Sequence, residues 1–382
     1  MSIYFTLSLA LLLSIGRQTG QVLITLYALQ LGARPFTVGI LAASVSMLPT
    51  LLSWQVGRLA DRFGSRRLLM VSAAAGALGM LFSYVIPGLP SLFVTALLNG
   101  LLSALFGAPM QNLVGLQSGP QERTRNYSNL SLAVSFAGFA GPLLAGFSID
   151  HTGPDVACLS LALLLLVPFF MLVVWGGILP SGTGAAKPQG SVRVLLSESG
   201  LWRVLATSSL VVTGIELFQV FMPVYGHGIG LSASAIGIIL AGYSSAAFIV
   251  RIFLSSLVKR LTVERLLAYS FLIGAAGFLL MPFFKNMLIL SLVSFFFGLG
   301  MGCGQPLTIM MTFGTSTQGR SGEAMGLRIT VNDSSRMIGQ FLFGSICSAF
   351  GIFSVFWINA LMLASGWAAS HPRIAGHWYK RS

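Results

Sequence analysis

Charged residues are scarce in this sequence, and acidic residues are the scarcest. Only 8% of the 382 residues are charged, and nine of them are Asp or Glu. Since soluble domains carry about 25% charged residues, an ordinary soluble protein is excluded. Most stretches of roughly 20 residues are apolar enough to cross a bilayer as a helix. The composition therefore predicts an all-α membrane protein that crosses the bilayer many times.

Cysteines are few in this sequence, and common catalytic motifs are absent from it. The three cysteines each lie within an apolar stretch, a pattern that offers neither a disulfide framework nor the spacing of a metal site. The sequence contains no HExxH, no P-loop lysine and no GxSxG, so it indicates neither a metalloprotease, an ATP-driven pump nor a serine hydrolase. We therefore expect no metal, no cofactor and no enzymatic activity.

Basic residues outnumber acidic ones and give a net charge of +13. In a soluble chain this excess would indicate nucleic acid, but here the Arg and Lys residues sit in short clusters on every second connection between apolar runs. The positive-inside rule describes this distribution, so we expect a lipid bilayer and no nucleic acid as a partner. The termini are predicted to be cytoplasmic, and the compact loops favour a bacterial inner membrane.

Apolar runs divide the sequence into about twelve predicted helices. Residues 1–21 lack the basic start and the cleavage site of a signal peptide, so they are predicted to open the first helix. The runs fall at 4–31, 36–57, 67–86, 91–113, 127–149, 155–178, 201–226, 233–257, 265–284, 287–312, 323–349 and 352–370. The one sizeable polar break, 180–200, is rich in Gly, Ser, Pro and Lys, which is typical of a linker.

A shift of 198 residues brings the two halves of the sequence into register without a gap. Glycines coincide at Gly32/Gly230, Gly39/Gly237, Gly76/Gly274, Gly79/Gly277, Gly100/Gly298, Gly141/Gly339, Gly146/Gly344 and Gly153/Gly351. One fixed offset over more than a hundred residues indicates an internal repeat. We therefore predict an N-terminal six-helix bundle over 1–179, a cytoplasmic linker over 180–200, and a C-terminal six-helix bundle with a short cytoplasmic tail over 201–382.

The connection after the second predicted helix, GRLADRFGSRRLL at 57–69, carries a family resemblance. It resembles the signature that the major facilitator superfamily has between helices 2 and 3. The matching positions are Gly57, Leu59, Asp61, Arg62, Gly64, Arg66, Arg67 and Leu69. The resemblance implies twelve transmembrane helices in two pseudo-symmetric six-helix bundles, and it implies that this loop latches the cytoplasmic gate. The alternative interpretation is that its positive charge only fixes topology.

A second segment, GFAGPLLAGF at 138–147, is similar to the helix 5 motif of that family's exporters. Gly141, Pro142 and Gly146 match the motif, although a kink and close helix packing would explain these residues equally well. The sequence also departs from the exporters' pattern, because Ala96 stands where they carry a helix 4 arginine. The usual helix 4 participant in proton coupling is therefore absent.

Ionisable residues at bilayer depth are costly, so each is a functional hypothesis. Helix 1 carries Arg17, Gln18 and Gln21, and helix 7 carries Glu216 and Gln219 at the same offset of 198. Such matched polar stripes should face each other near the midplane, where these transporters bind substrate. We predict that they bind substrate or protons, with Glu216 as the carboxylate that carries a proton and Arg17 as its partner.

A further charged pair lies on the eleventh predicted helix. Asp333 and Arg336 are spaced i, i+3, so their side chains can meet on one helix face. They are candidates for substrate or proton binding, and a structural salt bridge between helices is the equally weighted alternative. Arg251, on the eighth predicted helix, is interpreted as a gate or interface residue.

These features together predict a secondary active transporter that works by alternating access. Proton-coupled export of a small organic or amphipathic molecule is the favoured function, with that molecule, protons and the bilayer as partners and a monomer as the working unit. Symport uptake of an organic anion, a lipid flippase and a non-transporting membrane receptor are the alternatives.

Overall fold

The computed structural model describes residues 2–119, 121–179, 199–315 and 321–370, and within these ranges all regular secondary structure is helical. The α-helices are α1 Ser2–Gln30, α2 Pro35–Phe63, α3 Ser65–Val85, α4 Leu89–Gln117, α5 Arg123–Thr152, α6 Pro154–Trp175, α7 Ser199–Gly228, α8 Ala233–Arg260, α9 Val263–Leu280, α10 Met287–Met301, α11 Gly304–Thr315, α12 Ser321–Phe350 and α13 Ile352–Ser370. Most of the predicted linker, 180–198, and the predicted tail, 371–382, lie outside the described residues.

Eleven stretches among the described residues are helical, long and apolar enough to cross a membrane. The helices α10 and α11 form one of them, Met287–Thr315. The remaining long helix, α12, has 30 residues and is long enough to cross a membrane. It carries Arg328, Asp333 and Arg336, and these charges lower its hydropathy below that of the other spans. With α12 included, the twelve predicted helices are all present.

Several helices continue beyond the apolar runs that predicted them. The second run ends at residue 57, whereas α2 ends at Phe63, where Gly64 adopts a φ of 79°. A positive φ is open to glycine at little cost, so α3 begins at the next residue. Arg66 and Arg67 consequently lie in the first turn of α3 and not before it. Hydropathy marks only the lipid-facing part of a helix, which is why the polar ends were missed.

The tenth predicted helix is broken, because α10 ends at Met301 and α11 begins at Gly304. At the break, a Cβ on Gly302 would lie 2.5 Å from the Cα of Ala247 in α8. The Nε of Arg251 donates to the Gly302 carbonyl at 3.2 Å. A side chain that satisfies a free carbonyl is a recognised cause of helix interruption, and hydropathy alone carries no sign of it.

The repeat offset is reproduced in the packing of the two halves. Ser72 Oγ in α3 donates to the carbonyl of Leu102 in α4 at 3.0 Å. At positions 198 further on, Ser270 Oγ in α9 donates to the carbonyl of Gly300 in α10 at 2.6 Å. Equivalent helices therefore meet through equivalent atoms, which is the pseudo-symmetry that the glycine register predicted.

The halves close against each other at one end of the molecule. We call the end with the α1–α2 turn, residues 31–34, the distal end, and the end with Gly64 the proximal end. A Cβ on Gly39 of α2 would lie 2.7 Å from the Cα of Gly344 in α12, and a Cβ on Gly237 of α8 would lie 2.5 Å from the carbonyl of Pro142 in α5. Such backbone approaches need glycine, and they bring the halves together at the distal end.

The outer faces of the helices are apolar. Large side chains such as Phe350, Leu288 and Leu361 are 77%, 75% and 71% exposed. Exposed apolar surface of this kind marks contact with another apolar phase. Such faces are typical of a protein with this many membrane-length helices.

Candidate functional site

The predicted polar stripes on α1 and α7 contain the residues that are not buried in otherwise buried stretches of these two helices. From residue 13 to 29, the positions that are not buried are Arg17, Gln18 and Gln21. From residue 211 to 226, they are Glu216 and Gln219. These five side chains therefore reach the space between the halves, while their helical neighbours pack into the core.

The two stripes face each other across the pseudo-twofold axis. Gln21 Nε2 of α1 donates to Glu216 Oε2 of α7 at 3.4 Å. Gln18 and Gln219 line one small gap together with Tyr243. The predicted facing of α1 and α7 is confirmed by these contacts, whereas the role of the residues in binding stays a prediction.

Glu216 has its ion-pair partner on α12. Arg336 Nε lies 3.1 Å from Glu216 Oε1, and Arg336 Nη1 lies 3.6 Å from Asp333 Oδ1. The Arg336 side chain is 24% exposed and each carboxylate 13%. The Nε–H is not aligned as a hydrogen bond, so the pair with Glu216 is a charge contact that a competing group can open. The predicted i, i+3 pair of Asp333 and Arg336 is present.

Arg17 is placed differently from the sequence hypothesis. It lies within electrostatic range of Glu216 and Arg336, but it forms no ion pair with a described residue, so the predicted Arg17–Glu216 pair is not formed. The physical reason is that α12 brings Arg336 onto the same carboxylate, and two arginines repel each other there. Arg17 is thus the half-buried cation of the cluster whose charge has no direct partner among the described residues.

The formal charges of the cluster balance. Two arginines, Arg17 and Arg336, lie near two carboxylates, Glu216 and Asp333. A proton on either carboxylate leaves one net positive charge in a site shielded from bulk water, where charge interactions are strong. Binding of a proton or of a charged group would therefore change the net charge of the cluster, and the role of these four side chains in binding stays a prediction.

Replacing Arg336 by methionine is expected to destabilise the protein. The change leaves Glu216 and Asp333 partly buried without their cation, and removing one partner of such a pair costs about 3 kcal/mol. Thermal unfolding in detergent should show a lower Tm, and adding Glu216→Gln should restore part of the loss. The matched control is Arg67→Met, at an exposed arginine. An Arg336→Met protein as stable as this control would contradict the assignment.

Arg251 joins the halves nearer the proximal end. Its Nη1 donates to Ser135 Oγ of α5 at 3.2 Å, in addition to the bond with the Gly302 carbonyl. Because α5 and α8 belong to different halves, the sequence interpretation of Arg251 as an interface residue is confirmed.

Among the described side chains of the signature loop, Arg66 makes its contacts within the N-terminal half. Arg66 donates to the carbonyls of Leu172 and Val173, each at 3.2 Å, at the C-terminal end of α6. A cation there complements the free carbonyls and the helix dipole, a role that no pattern along the chain predicts. Arg62 lies over the ring of Phe63 at 5.3 Å, and Arg67 is exposed.

The latch predicted for this loop rests on Gly57 and Asp61. Both backbones belong to α2, but the Asp61 side chain and the surroundings of Gly57 lie outside the described residues, so the latch stays a prediction. In the second half, Thr262 replaces the glycine turn, and its side chain accepts from the backbone N–H of Arg265 at 3.4 Å. This N-cap explains why the motif needs no glycine there.

The helix 5 motif packs α5 against two neighbours. A Cβ on Gly141 would lie 2.6 Å from the Cβ of Gln18 in α1, and one on Gly146 would collide with the carbonyl of Ala233 in α8. Pro142 presents its carbonyl to Gly237. Close packing is thus sufficient to explain the two glycines, whereas any residue could offer the carbonyl of Pro142, and the exporter motif stays a prediction.

Comparison with known proteins agrees with this architecture. The sequence profile described as Major Facilitator Superfamily matches residues 204–373, in the half that lacks the intact signature. The match spans the C-terminal half of the chain, which is thus similar in sequence to the major facilitator superfamily. Eleven membrane-length stretches among the described residues make it a multi-pass membrane protein, and the resemblance drawn from the N-terminal loop and the two-half layout agrees with the match.

The relatives of this chain include resistance proteins. It is 26% identical over 137 residues to the tetracycline resistance protein, class B, of Escherichia coli. This alignment covers 36% of this chain and only 34% of that relative. It is 22% identical over 329 residues to the quinolone resistance protein NorA of Staphylococcus aureus (strain COL), covering 84% and 83%. The crystal structure of a mutant of the nucleoside transporter NupG matches with a TM-score of 0.81 at 11% identity, over 96% and 98% of the two chains.

Proposed function

We propose that this transporter exports small organic molecules in exchange for protons. The observation that carries the proposal is the position of Glu216. Glu216 lies on α7, on the side that faces the N-terminal half. Its carboxylate contacts Gln21 from the N-terminal half and Arg336 from the C-terminal half. A change in the charge of Glu216 therefore acts on both halves at once, which is what coupling of a proton to alternating access requires.

Competition for one carboxylate supplies the exchange. When Glu216 is ionised, it can hold either Arg336 or a cationic group of the substrate; when it carries a proton, it attracts neither strongly. Since proton and substrate cannot occupy it together, one is released when the other binds. Arg17, which has no ion partner among the described residues, is placed to receive an anionic group. The substrate class that fits both is a zwitterionic or amphipathic molecule.

The relatives support export. Two of them are named as tetracycline and quinolone resistance proteins, and we extend from them to this chain the expulsion of small, partly apolar molecules. The contacts at the distal end correspond in this proposal to a state open at the proximal end. With the clustered basic residues in the cytoplasm, that state would load substrate from the cytoplasm of a bacterial cell.

A second candidate is uptake of an organic anion by proton symport. The observation that favours it is Arg17, a cation without an ion partner among the described residues, beside carboxylates whose protonation leaves the site positive. The two candidates differ in the direction of flux. In inside-out vesicles with an acidic lumen, an antiporter accumulates substrate, whereas a symporter expels it.

Ligand-dependent stabilisation is the first test. The purified protein and its Glu216→Gln variant are heated with a quinolone, a tetracycline, a nucleoside and a dipeptide, at one pH above and one below neutrality. We expect the rise in Tm that a zwitterionic compound gives to differ between the two pH values in the native protein and to be equal at both in the variant, which has no carboxylate at this position. Stabilisation of the native protein that is independent of pH would place proton coupling elsewhere.

A further inference from the structure

A carboxylate from one half caps a helix of the other half at the distal end. Asp150, in the last turn of α5, accepts from the backbone N–H of Ala233 at 3.1 Å through Oδ1 and from that of Ser234 at 2.7 Å through Oδ2. These are the first two N–H groups of α8, which have no partner within their own helix. A carboxylate at a helix N-terminus also interacts favourably with the helix dipole.

The pseudo-symmetric position carries a second cap. Ser348 in α12 stands 198 residues after Asp150, and Ser234 stands 198 residues after Phe36 of α2. The backbone N–H of Phe36 donates to Ser348 Oγ at 2.9 Å. Two pseudo-equivalent pairs of helix ends are thus joined, α5 to α8 by a carboxylate and α12 to α2 by a hydroxyl.

The chemistry of each cap matches the number of donors it meets. The counterpart of Ala233 is Pro35, which has no backbone N–H. On that side a single donor, from Phe36, meets a single hydroxyl. On the other side two donors meet the two oxygens of a carboxylate, and charge-assisted hydrogen bonds of this kind are the stronger ones.

Both caps exist only while the distal end is closed. Each cap joins the N-terminal half to the C-terminal half. A cavity of about 190 Å³ lies directly beside the Asp150 cap and is lined by Gln30, Asp150, His227 and Ser232. By contrast, the other nearby carboxylate, Asp155 in α6, accepts from the Tyr27 hydroxyl of α1, within one half. Separation of the halves would therefore break the bonds of Asp150 and keep that of Asp155.

We propose that Asp150 is the principal latch of the distal gate, with Ser348 as a weaker symmetric latch. The charge of Asp150 biases the transporter towards the distally closed state, so its removal raises the population open at that end. The proposal concerns the conformational equilibrium alone, and it stands or falls independently of proton coupling at Glu216.

Distance measurement across the distal end tests the latch. Spin labels at Ile86→Cys and Lys285→Cys, in a background with the three native cysteines replaced by alanine, report the separation of exposed turns in opposite halves by double electron–electron resonance. For Asp150→Asn we expect the long-distance fraction to rise roughly twofold to fivefold, the range for loss of one exposed charge at a helix end. Ser348→Ala should give a smaller rise, and Asp155→Asn none.

A rescue variant separates a latch from general loosening. In the Asp150→Asn protein, the double change Pro35→Ala and Ser348→Asp adds the missing donor and a carboxylate to the symmetric cap. We expect it to return the long-distance fraction towards the parent value, which a merely destabilised structure would not do. The proposal is overturned if Asp150→Asn leaves the distances unchanged, if Asp155→Asn shifts them equally, or if the rescue pair has no effect.

Discussion

Glu216→Gln is expected to reduce proton-driven transport in proteoliposomes to the level of protein-free liposomes. Glutamine keeps the size and the hydrogen-bonding capacity of the side chain, so it can still meet Gln21 and Arg336, but it cannot take up or release a proton. Substrate should still bind, although more weakly, because the contact with its cationic group is lost while Arg17 and the remaining polar side chains of α1 and α7 are unchanged. Exchange of labelled for unlabelled substrate at equal pH on both sides should therefore persist, while accumulation driven by a pH gradient disappears.

The matched control is Asp333→Asn, which removes the other carboxylate of the cluster and leaves the Arg336–Glu216 contact of 3.1 Å in place. We expect this variant to retain pH-driven accumulation. If Asp333→Asn abolished accumulation and Glu216→Gln did not, the proton site would be Asp333, and Glu216 would serve only to hold Arg336. Loss of both accumulation and exchange in Glu216→Gln would instead mean that substrate binding requires the Glu216 carboxylate and that Arg17 and the amide side chains do not suffice.

The parts of the site that could be predicted are those that depend on spacing within the chain. Helical periodicity placed Gln18 and Gln21 on one stripe, and the offset of 198 matched them to Glu216 and Gln219. Both the exposure of these positions and the Gln21–Glu216 contact agree with that reasoning. A repeat fixes which helices are equivalent, and equivalent helices meet at the axis that relates them.

The parts that could not be predicted depend on how non-equivalent helices are rotated and shifted against each other. Arg336 was known to share a face with Asp333, but nothing in the sequence shows that this face of α12 reaches Glu216 of α7. The break between α10 and α11 depends on Arg251 from another helix, and the cap formed by Asp150 depends on α8 of the opposite half. Each of these is a tertiary contact between residues that no local pattern connects.

The repeat also shows where the chemistry has diverged from the shared scaffold. At the offset of 198, Gln18 corresponds to Glu216, Ser135 to Asp333 and Gly138 to Arg336. Three charged residues of the cluster therefore lie in the C-terminal half, where their N-terminal counterparts are neutral. The packing glycines are shared by both halves, whereas the ionisable side chains are not. The shared glycines thus account for close packing in both halves, whereas the charged residues to which we assign proton and substrate binding occupy positions where the halves differ.

Valine at both Gly39 and Gly237 is expected to abolish transport by holding the distal end open. A Cβ on Gly39 would lie 2.7 Å from the Cα of Gly344, and one on Gly237 would lie 2.5 Å from the carbonyl of Pro142. Both obstacles are backbone atoms, so no rotamer change can relieve the overlap, and overpacking of this kind is destabilising. The state closed at the distal end is therefore the one that is lost.

The variant should still fold, because the overlap exists only where the two halves meet at the distal end. Distances between labels on Ile86→Cys and Lys285→Cys should shift almost entirely to the longer population, and flux should fall to background. Valine at Gly326 in α12, where a Cβ would meet no atom within 4 Å, is the control and should transport normally. A Gly39→Val/Gly237→Val protein that still transports would mean that the backbone contacts are not needed for turnover. In that case the Asp150 and Ser348 caps would have to provide distal closure without close helix approach.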